Sequence, residues 1–388
     1  MRVSSRIPHQ LARPTANSMS SVLYPMHSEL TKGMAEVIVG DRVYRHEAKA
    51  QPTEIRPGKI VEAFGLGKCP KLVEQVRSDN MEVRVNTLEV LCEEFKNPST
   101  IAGVTKAGLM STLPAMTVDP DLNTRISSSR AMVAAARDYN GRKGLIEAAA
   151  PGTIFSALDD DNRDVRQNIY GVLVNMSTSE PGTSALTQAG YPAKLVGKTV
   201  EEMPELQPLA LKVLYNLIKC RRGLEEAMEA SLVETLIGLL GKEGPADVQR
   251  EASITLALAC FDEMAKITAI QNDGVSMLAG LLSAPSRDVR SAAMGALMMI
   301  TTVDAGKRAI LSTSAAEETV KALEEEDEWL LLNALKLVAS IAAHPGIRAE
   351  LRGDEACLPA IHALVKDGRD PMIAKHAAVA LDTVLWEP

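Results

Sequence analysis

Apolar residues followed by a polar anchor return at nearly fixed spacing down most of the chain. The pairs are Val83-Arg84, Thr124-Arg125, Val165-Arg166, Leu206-Gln207, Val248-Gln249, Val289-Arg290, Leu330-Leu331 and Ile373-Ala374. Successive anchors lie 41, 41, 41, 42, 41, 41 and 43 residues apart. A period of this length predicts a stack of helical units, each touching mainly its neighbours. Seven residues after each anchor stand Leu91, Met132, Leu173, Leu214, Leu256, Leu297, Val338 and Leu381, all large and apolar. Three residues after it stand Thr87, Ser128, Ile169, Ala210, Ala252, Ala293, Ala334 and Ala377, all small except Ile169. Offsets of −1, +3 and +7 share one helical stripe. The small position lets a neighbouring helix come close, and the large one fills the space between units.

The ends of these helices are marked as well. Ser78-Asp79-Asn80, Asp119 to Asp121, Asp159 to Asp164, Asp247 and Asp288 offer capping oxygens or suit the positive end of the helix dipole. Sixteen residues past the anchor stand Gly141, Gly182, Gly223 and Gly306, with Gly346 one residue early. These glycines are expected to end the long helix in a left-handed conformation. Turns follow at Ala107-Gly108, Ala189-Gly190 and Asp273-Gly274, then Leu-rich helices such as Leu232 to Leu240. Each unit is predicted as a short helix followed by two long ones.

This pattern resembles the armadillo repeat over roughly residues 69 to 388. HEAT repeats are the close rival, because Asp-x-x-Val-Arg is also their habit; the three-helix unit and the Ala-Gly turns favour armadillo. The expected fold is all-α: an armadillo/HEAT-like, right-handed superhelical solenoid of about eight three-helix repeats spanning residues 61–388. Residues 1–60 form a non-repeat arm, expected to be partly extended or disordered.

Composition narrows the function. Aromatics are 3%, so Leu, Val, Ala and Met must build the core. The five cysteines follow no pairing motif, which suits a reducing compartment; Cys92 and Cys260 fall on long helices and are expected to be buried. No run of eighteen apolar residues predicts a membrane span. The net charge of −8 argues against general nucleic-acid binding. The first sixty residues carry nine Lys/Arg against five Asp/Glu, a net +4, which leaves −12 on the repeats. Residues 1–28 hold Arg2, Arg6 and Arg13 and no acid, faintly like a mitochondrial transit peptide; a polar tail is the better reading because no amphipathic helix is evident. Residues 41–60 mix Tyr, Arg, Pro and Val and are expected to run extended along another surface.

Signs of catalysis are absent. Gly65-Leu-Gly67-Lys68 lacks the first glycine of a phosphate loop, where Glu62 stands, and has Cys69 in place of Ser or Thr. Cys357, His362 and His376 match no zinc spacing. The chain is read as a non-enzyme with no cofactor, metal site or catalytic residue. The acidic run Glu324 to Glu328 is expected to be a solvated loop rather than a docking patch for a basic partner, so that loss of Glu325 costs little stability.

In armadillo superhelices the last helix of each unit lines a groove, and in peptide-binding members an asparagine recurs on it. The matching positions, nine after each anchor, are Glu93, Ala134, Asn175, Asn216, Leu258, Met299, Ser340 and Thr383. Only Asn175 and Asn216 keep the asparagine, and the tryptophans of the family's groove are missing. A ladder for basic peptides is therefore disfavoured. Leu258 and Met299 suit a partner's amphipathic helix better.

A narrower resemblance is carried by Val83-Arg-Val-Asn-Thr-Leu-Glu-Val-Leu-Cys92 with Asn97-Pro98, by Val289-Arg-Ser-Ala-Ala-Met-Gly-Ala-Leu-Met298 with Gly306-Lys307, by the basic arm, and by Val384-Leu-Trp-Glu-Pro388 after the last helix. These are similar to the radial spoke protein 14 (radial spoke head 14 homolog) family of motile cilia. The resemblance implies a structural scaffold of the ciliary axoneme, within a large hetero-oligomeric complex. It implies partners among other radial spoke proteins, including the long helical backbone subunit of the stalk, and neither nucleic acid nor membrane. The alternative is a soluble adaptor that binds peptide motifs for transport or signalling.

Overall fold

The computed structural model describes the backbone of residues 34–39 and 42–47, and then residues 60, 63, 65–241, 243–366 and 370–387. The chain divides into two units, Met1–Lys59 and Ile60–Pro388. In the first, β1 (Met34–Val39) and β2 (Arg42–Glu47) pair antiparallel, with Val37 opposite Tyr44 and Glu36 opposite Arg45. Residues 1–33 and 48–59, and with them the transit-peptide resemblance and most of the extended segment expected over 41–60, lie outside the described residues.

The second unit is an α-helical solenoid. Its long helices are α1 (Met81–Glu94), α2 (Leu122–Ala136), α3 (Arg163–Met176), α4 (Gln207–Leu217), α5 (Ala246–Ala259), α6 (Arg287–Ile300), α7 (Glu328–Ile341) and α8 (Pro371–Leu385). Each packs against the next in order, and two further helices join each pair. The expected stripe is the one that is buried. All eight residues at offset +3 are fully buried, as are seven of the eight at offset +7. The exception, Leu381, lies on α8, on whose far side no further helix packs among the described residues.

Four of the eight anchors prove to be braces. Arg84, Arg125, Arg166 and Arg290 each donate to the carbonyl six residues earlier, at 3.1, 3.0, 2.8 and 3.1 Å. Each also reaches an acid at the equivalent turn of the next unit: Asp119 at 3.7 Å, Asp160 at 2.7 Å, Glu202 at 3.0 Å, and Glu325. One guanidinium fork thus ties the entry of its own helix to the following repeat. Gln249 keeps only the backbone half of this, donating to the Gly241 carbonyl at 2.6 Å.

Four expectations need correction. The glycines sixteen past the anchor do not end helices with positive φ; among the described residues only Gly65, Gly108 and Gly190 are glycines of that kind. Gly141, Gly182, Gly223 and Gly306 lie inside the short helices, where an added Cβ would meet the carbonyl oxygen six residues earlier at 1.9, 1.9, 2.2 and 2.3 Å. They are small because two backbones nearly touch. The middle helix of each unit is short, running from Ala150–Thr153 to Tyr191–Glu201 (4 to 11 residues), in places because proline interrupts it, as Pro114 does. Glu325 is no free surface carboxylate: it takes Arg290 and also Arg287 at 3.6 Å, while Asp327 beside it caps α7. Cys92 is half-buried rather than buried; Cys260 is fully buried, just past the end of α5. All five thiols are unpaired.

The other turn chemistry follows the sequence more closely. Asn80, Asp121 and Asn162 cap α1, α2 and α3, whereas Asp247 and Asp288 sit in the first turns of α5 and α6 without capping. Gly108 and Gly190 take the left-handed conformation in their turns, but at 273–274 the aspartate does so instead.

Candidate protein-binding face

The long helices bury one side against their neighbours and the short helices. The opposite side, at offsets +5, +8, +9 and +12, falls within about a third of the helical circumference and stays open. The eight residues at +9 all lie on this open face. Glu93 is exposed; Ala134, Asn175, Asn216, Leu258, Met299, Ser340 and Thr383 are half-buried.

Both asparagines are engaged within the chain. The Asn175 amide donates to the Gly171 carbonyl of its own helix at 2.9 Å. The Asn216 amide donates to Ser177 Oγ, just past α3, at 3.0 Å, and its oxygen accepts from Lys219 Nζ at 2.8 Å. The Ser340 hydroxyl pairs with that of Thr301 at 2.9 Å, so offset +9 also stitches α7 to the end of α6. Leu258 and Met299 pack their inner atoms on the core and present the rest.

At Leu258 the face deepens into a cavity of about 650 Å³ between the helices Arg221–Glu229 and Glu263–Gln271. Ile218, Leu224, Met228 and Met264 supply apolar wall, and Phe261 stands at its edge. Phe261 is 72% exposed and Met264 62%. The repeat provides its own control here. Of the other units, six carry Lys96, Arg137, Thr178, Lys219, Thr302 and Ala343 where this one has Phe261, and the last carries Trp386. The packing of a unit therefore does not require an aromatic ring at that place. Sequence reasoning missed Phe261, although reading the same alignment at offset +12 would have marked it, with Trp386, as an aromatic among polar and small residues.

Of the acids around this cavity, Glu225 pairs with Arg221 at 2.7 Å and Asp262 caps the following helix. Lys219 lies over the Tyr215 ring at 4.3 Å. Burial pushes the neighbouring Cys260 thiol up to about 12, so it stays protonated and chemically quiet. On α8, burial, with the charges of Lys336 and Lys375 behind it, holds His376 below the usual imidazole range.

The features that raised the question of chemistry are structural. Lys68 of the phosphate-loop look-alike reaches Glu94 at 2.6 Å, fastening the helix Lys68–Val76 to α1. Cys357 is buried and His362 exposed, and among the described residues no three His, Cys, Asp or Glu side chains are grouped to hold a metal ion. No described helix is long and apolar enough to cross a membrane.

No protein-family model matches the chain. Over 244 residues it is 27% identical to radial spoke protein 14 of Chlamydomonas reinhardtii, a match that covers 60% of this chain. The chain resembles radial spoke protein 14. It spans 63% of the length of that curated relative. Among solved structures, the crystal structure of an engineered protein from the Northeast Structural Genomics Consortium superposes with a TM-score of 0.74 at 23% identity, covering 82% of this chain and 78% of that one. That likeness is one of fold: a helical solenoid of similar extent.

Proposed function

We propose that the chain is a non-enzymatic scaffold subunit of the radial spoke in the axoneme of motile cilia. The observation that carries this reading is the likeness to radial spoke protein 14. The fold supports it, since a stack of repeats offers a long continuous face to partners. In this role the open face of α1 to α8 holds helical segments of other spoke proteins, among them the long helical backbone subunit of the stalk. The residues at offset +9 from Glu93 to Ser340 contribute to that face, and the arm over residues 1–60 adds contacts outside the repeats. Apolar Leu258, Met299 and Phe261 favour side chains of a helix over the backbone of an extended peptide. The internal engagement of Asn216 on both sides weakens the alternative of a peptide-binding adaptor.

The test is fractionation. The tagged protein is expressed in ciliated cells, motile cilia are isolated and their membranes stripped. Recovery with spoke stalk and head proteins in near-equal amounts is expected. Recovery only in the soluble fraction, with varied clients, would overturn the proposal.

A further inference from the structure

The open face carries a charge opposite to that of the solenoid that bears it. The repeats hold a net −12. On α2 to α7 and the turns that follow them, offsets +5, +8, +9 and +12 include Arg130, Arg137, Lys212, Lys219 and Lys336, and no carboxylate at all. None of these five cations makes an ion pair among the described residues; Lys219 bonds only the Asn216 amide and the Tyr215 ring. Four of the five are exposed and Lys336 is half-buried. The acids that border these offsets are engaged elsewhere: Glu251 is bound to Arg250 at 2.9 Å, Glu225 at the cavity pairs with Arg221, and Asp262 caps the following helix. Carboxylates return at these offsets only at the two ends, as Glu89 and Glu93 on α1 and Asp382 on α8.

Between the cations lies an apolar floor. Ile254, Leu258, Met298 and Met299 are half-buried on α5 and α6, next to the cavity edged by Phe261. Lys212 and Lys219 flank this floor on one side and Lys336 on the other. With neighbouring helices about 8–10 Å apart, the stretch from α4 to α7 is roughly 25–30 Å long, the length of a helix of about twenty residues.

We infer that this face takes an acidic amphipathic helix of a partner protein: an apolar stripe that seats on the α5–α6 floor, flanked by Asp or Glu that meet the unpaired Arg and Lys. The inference rests on the scaffold reading above and names the chemistry of its partner. Charge complementarity is the ground for it, because an acidic protein that sets unpaired cations and no carboxylate at these offsets selects against basic ligands there and steers acidic ones in.

The probe is a fluorescein-labelled synthetic helix of about twenty residues, with leucines on one face and glutamates flanking them. Its twin has lysines in place of the glutamates. Each is titrated with the full-length protein and followed by anisotropy. The glutamate peptide is expected to bind at least about tenfold more tightly at low salt, with the gap closing at high salt. The general acidity of the repeats works against this result, and charge reversal on the face separates it from the basic arm. Lys212→Glu combined with Lys219→Glu should erase or invert the preference with only a small shift of the melting curve, since both side chains are exposed and only the local Asn216 and Tyr215 contacts of Lys219 are lost. Equal binding of the two peptides, tighter binding of the lysine peptide, or no binding of either would overturn the inference. Loss of the peptide preference in a protein that still recovers with stripped axonemes would remove the charge assignment and leave the scaffold standing. A clear preference in a protein absent from axonemes would keep the face and remove the spoke.

Discussion

Alanine in place of Gly182 tests the account of how the units are spaced. In the middle of an ordinary helix this change stabilises by up to about 1 kcal/mol, because alanine has the higher helix propensity. At Gly182 the new Cβ would lie 1.9 Å from the Met176 carbonyl oxygen, in a region where real Cβ atoms do not come within 3.0 Å. The end of α3 and the start of the helix Glu180–Gln188 must therefore part by about 1 Å. Thr100, Ala265 and Ile347 occupy the same place in other units, so the turn can be built to hold a side chain, which bounds the cost. A net loss of about 1–3 kcal/mol is expected, as for other overpacked sites. Gly197→Ala is the control. It lies inside the helix Tyr191–Glu201, its Cβ would meet nothing nearer than Glu201 Oε1 at 3.7 Å, and it should gain stability from the same propensity. Urea unfolding is read together with hydrogen exchange, because a repeat array need not unfold in two states. For Gly182→Ala the loss of protection should centre on α3 and the helix after it. An unchanged or raised midpoint for Gly182→Ala would refute the close-approach argument and bring back a simple helix-ending role.

The brace ladder makes a second set of predictions. Glu202→Ala should cost about 3 kcal/mol, since Glu202 is 3% exposed and its loss strands the half-buried Arg166 and the Tyr170 hydroxyl that donates to it at 3.1 Å; a urea midpoint equal to wild type would show that the ladder is ornamental. Glu325→Ala should cost about 1–2 kcal/mol and Glu326→Ala less than about 0.5, although they are neighbours in one acidic run, because only Glu325 holds Arg290 and Arg287; equal effects in thermal melts would count against it. Leu297→Ala should lose about 2–5 kcal/mol as a fully buried core position, and a wild-type melting curve would place the repeat register in error. Burial raises the Cys260 thiol from an ordinary 9.0 to about 12, so the unfolded chain gives up that proton first and stability falls as pH rises from about 9 towards 12. At pH 10 the effect of this one group is about 1.4 kcal/mol; Cys260→Ala should flatten that part of the decline, and a stability difference between variant and wild type that is the same at pH 8 and pH 10 would rule it out.

The sequence by itself determined the existence, type and register of the long helices. A stripe at offsets −1, +3 and +7 that repeats every 41 to 43 residues can be buried only as stacked helices, so periodicity alone carries the core. The sequence's likeness to armadillo repeats pointed to offset +9, and helical geometry places that offset opposite the buried stripe. What it could not show was which polar residues meet across units. Arg125 and Asp160 are 35 residues apart, and nothing local distinguishes that aspartate from the neighbouring Asp161. Glu325 looked like one solvated acid among several for the same reason. The glycines at offset +16 were misread because a small residue after a helix serves equally for a left-handed end or for a close passage of two chains, and only the distance to the preceding carbonyl separates the two. The tertiary structure also decided that Asn216 is spent inside the protein and that Phe261 and Met264 stand open beside a cavity. Both depend on how one unit is set against the next, a quantity that the pattern within a unit does not contain.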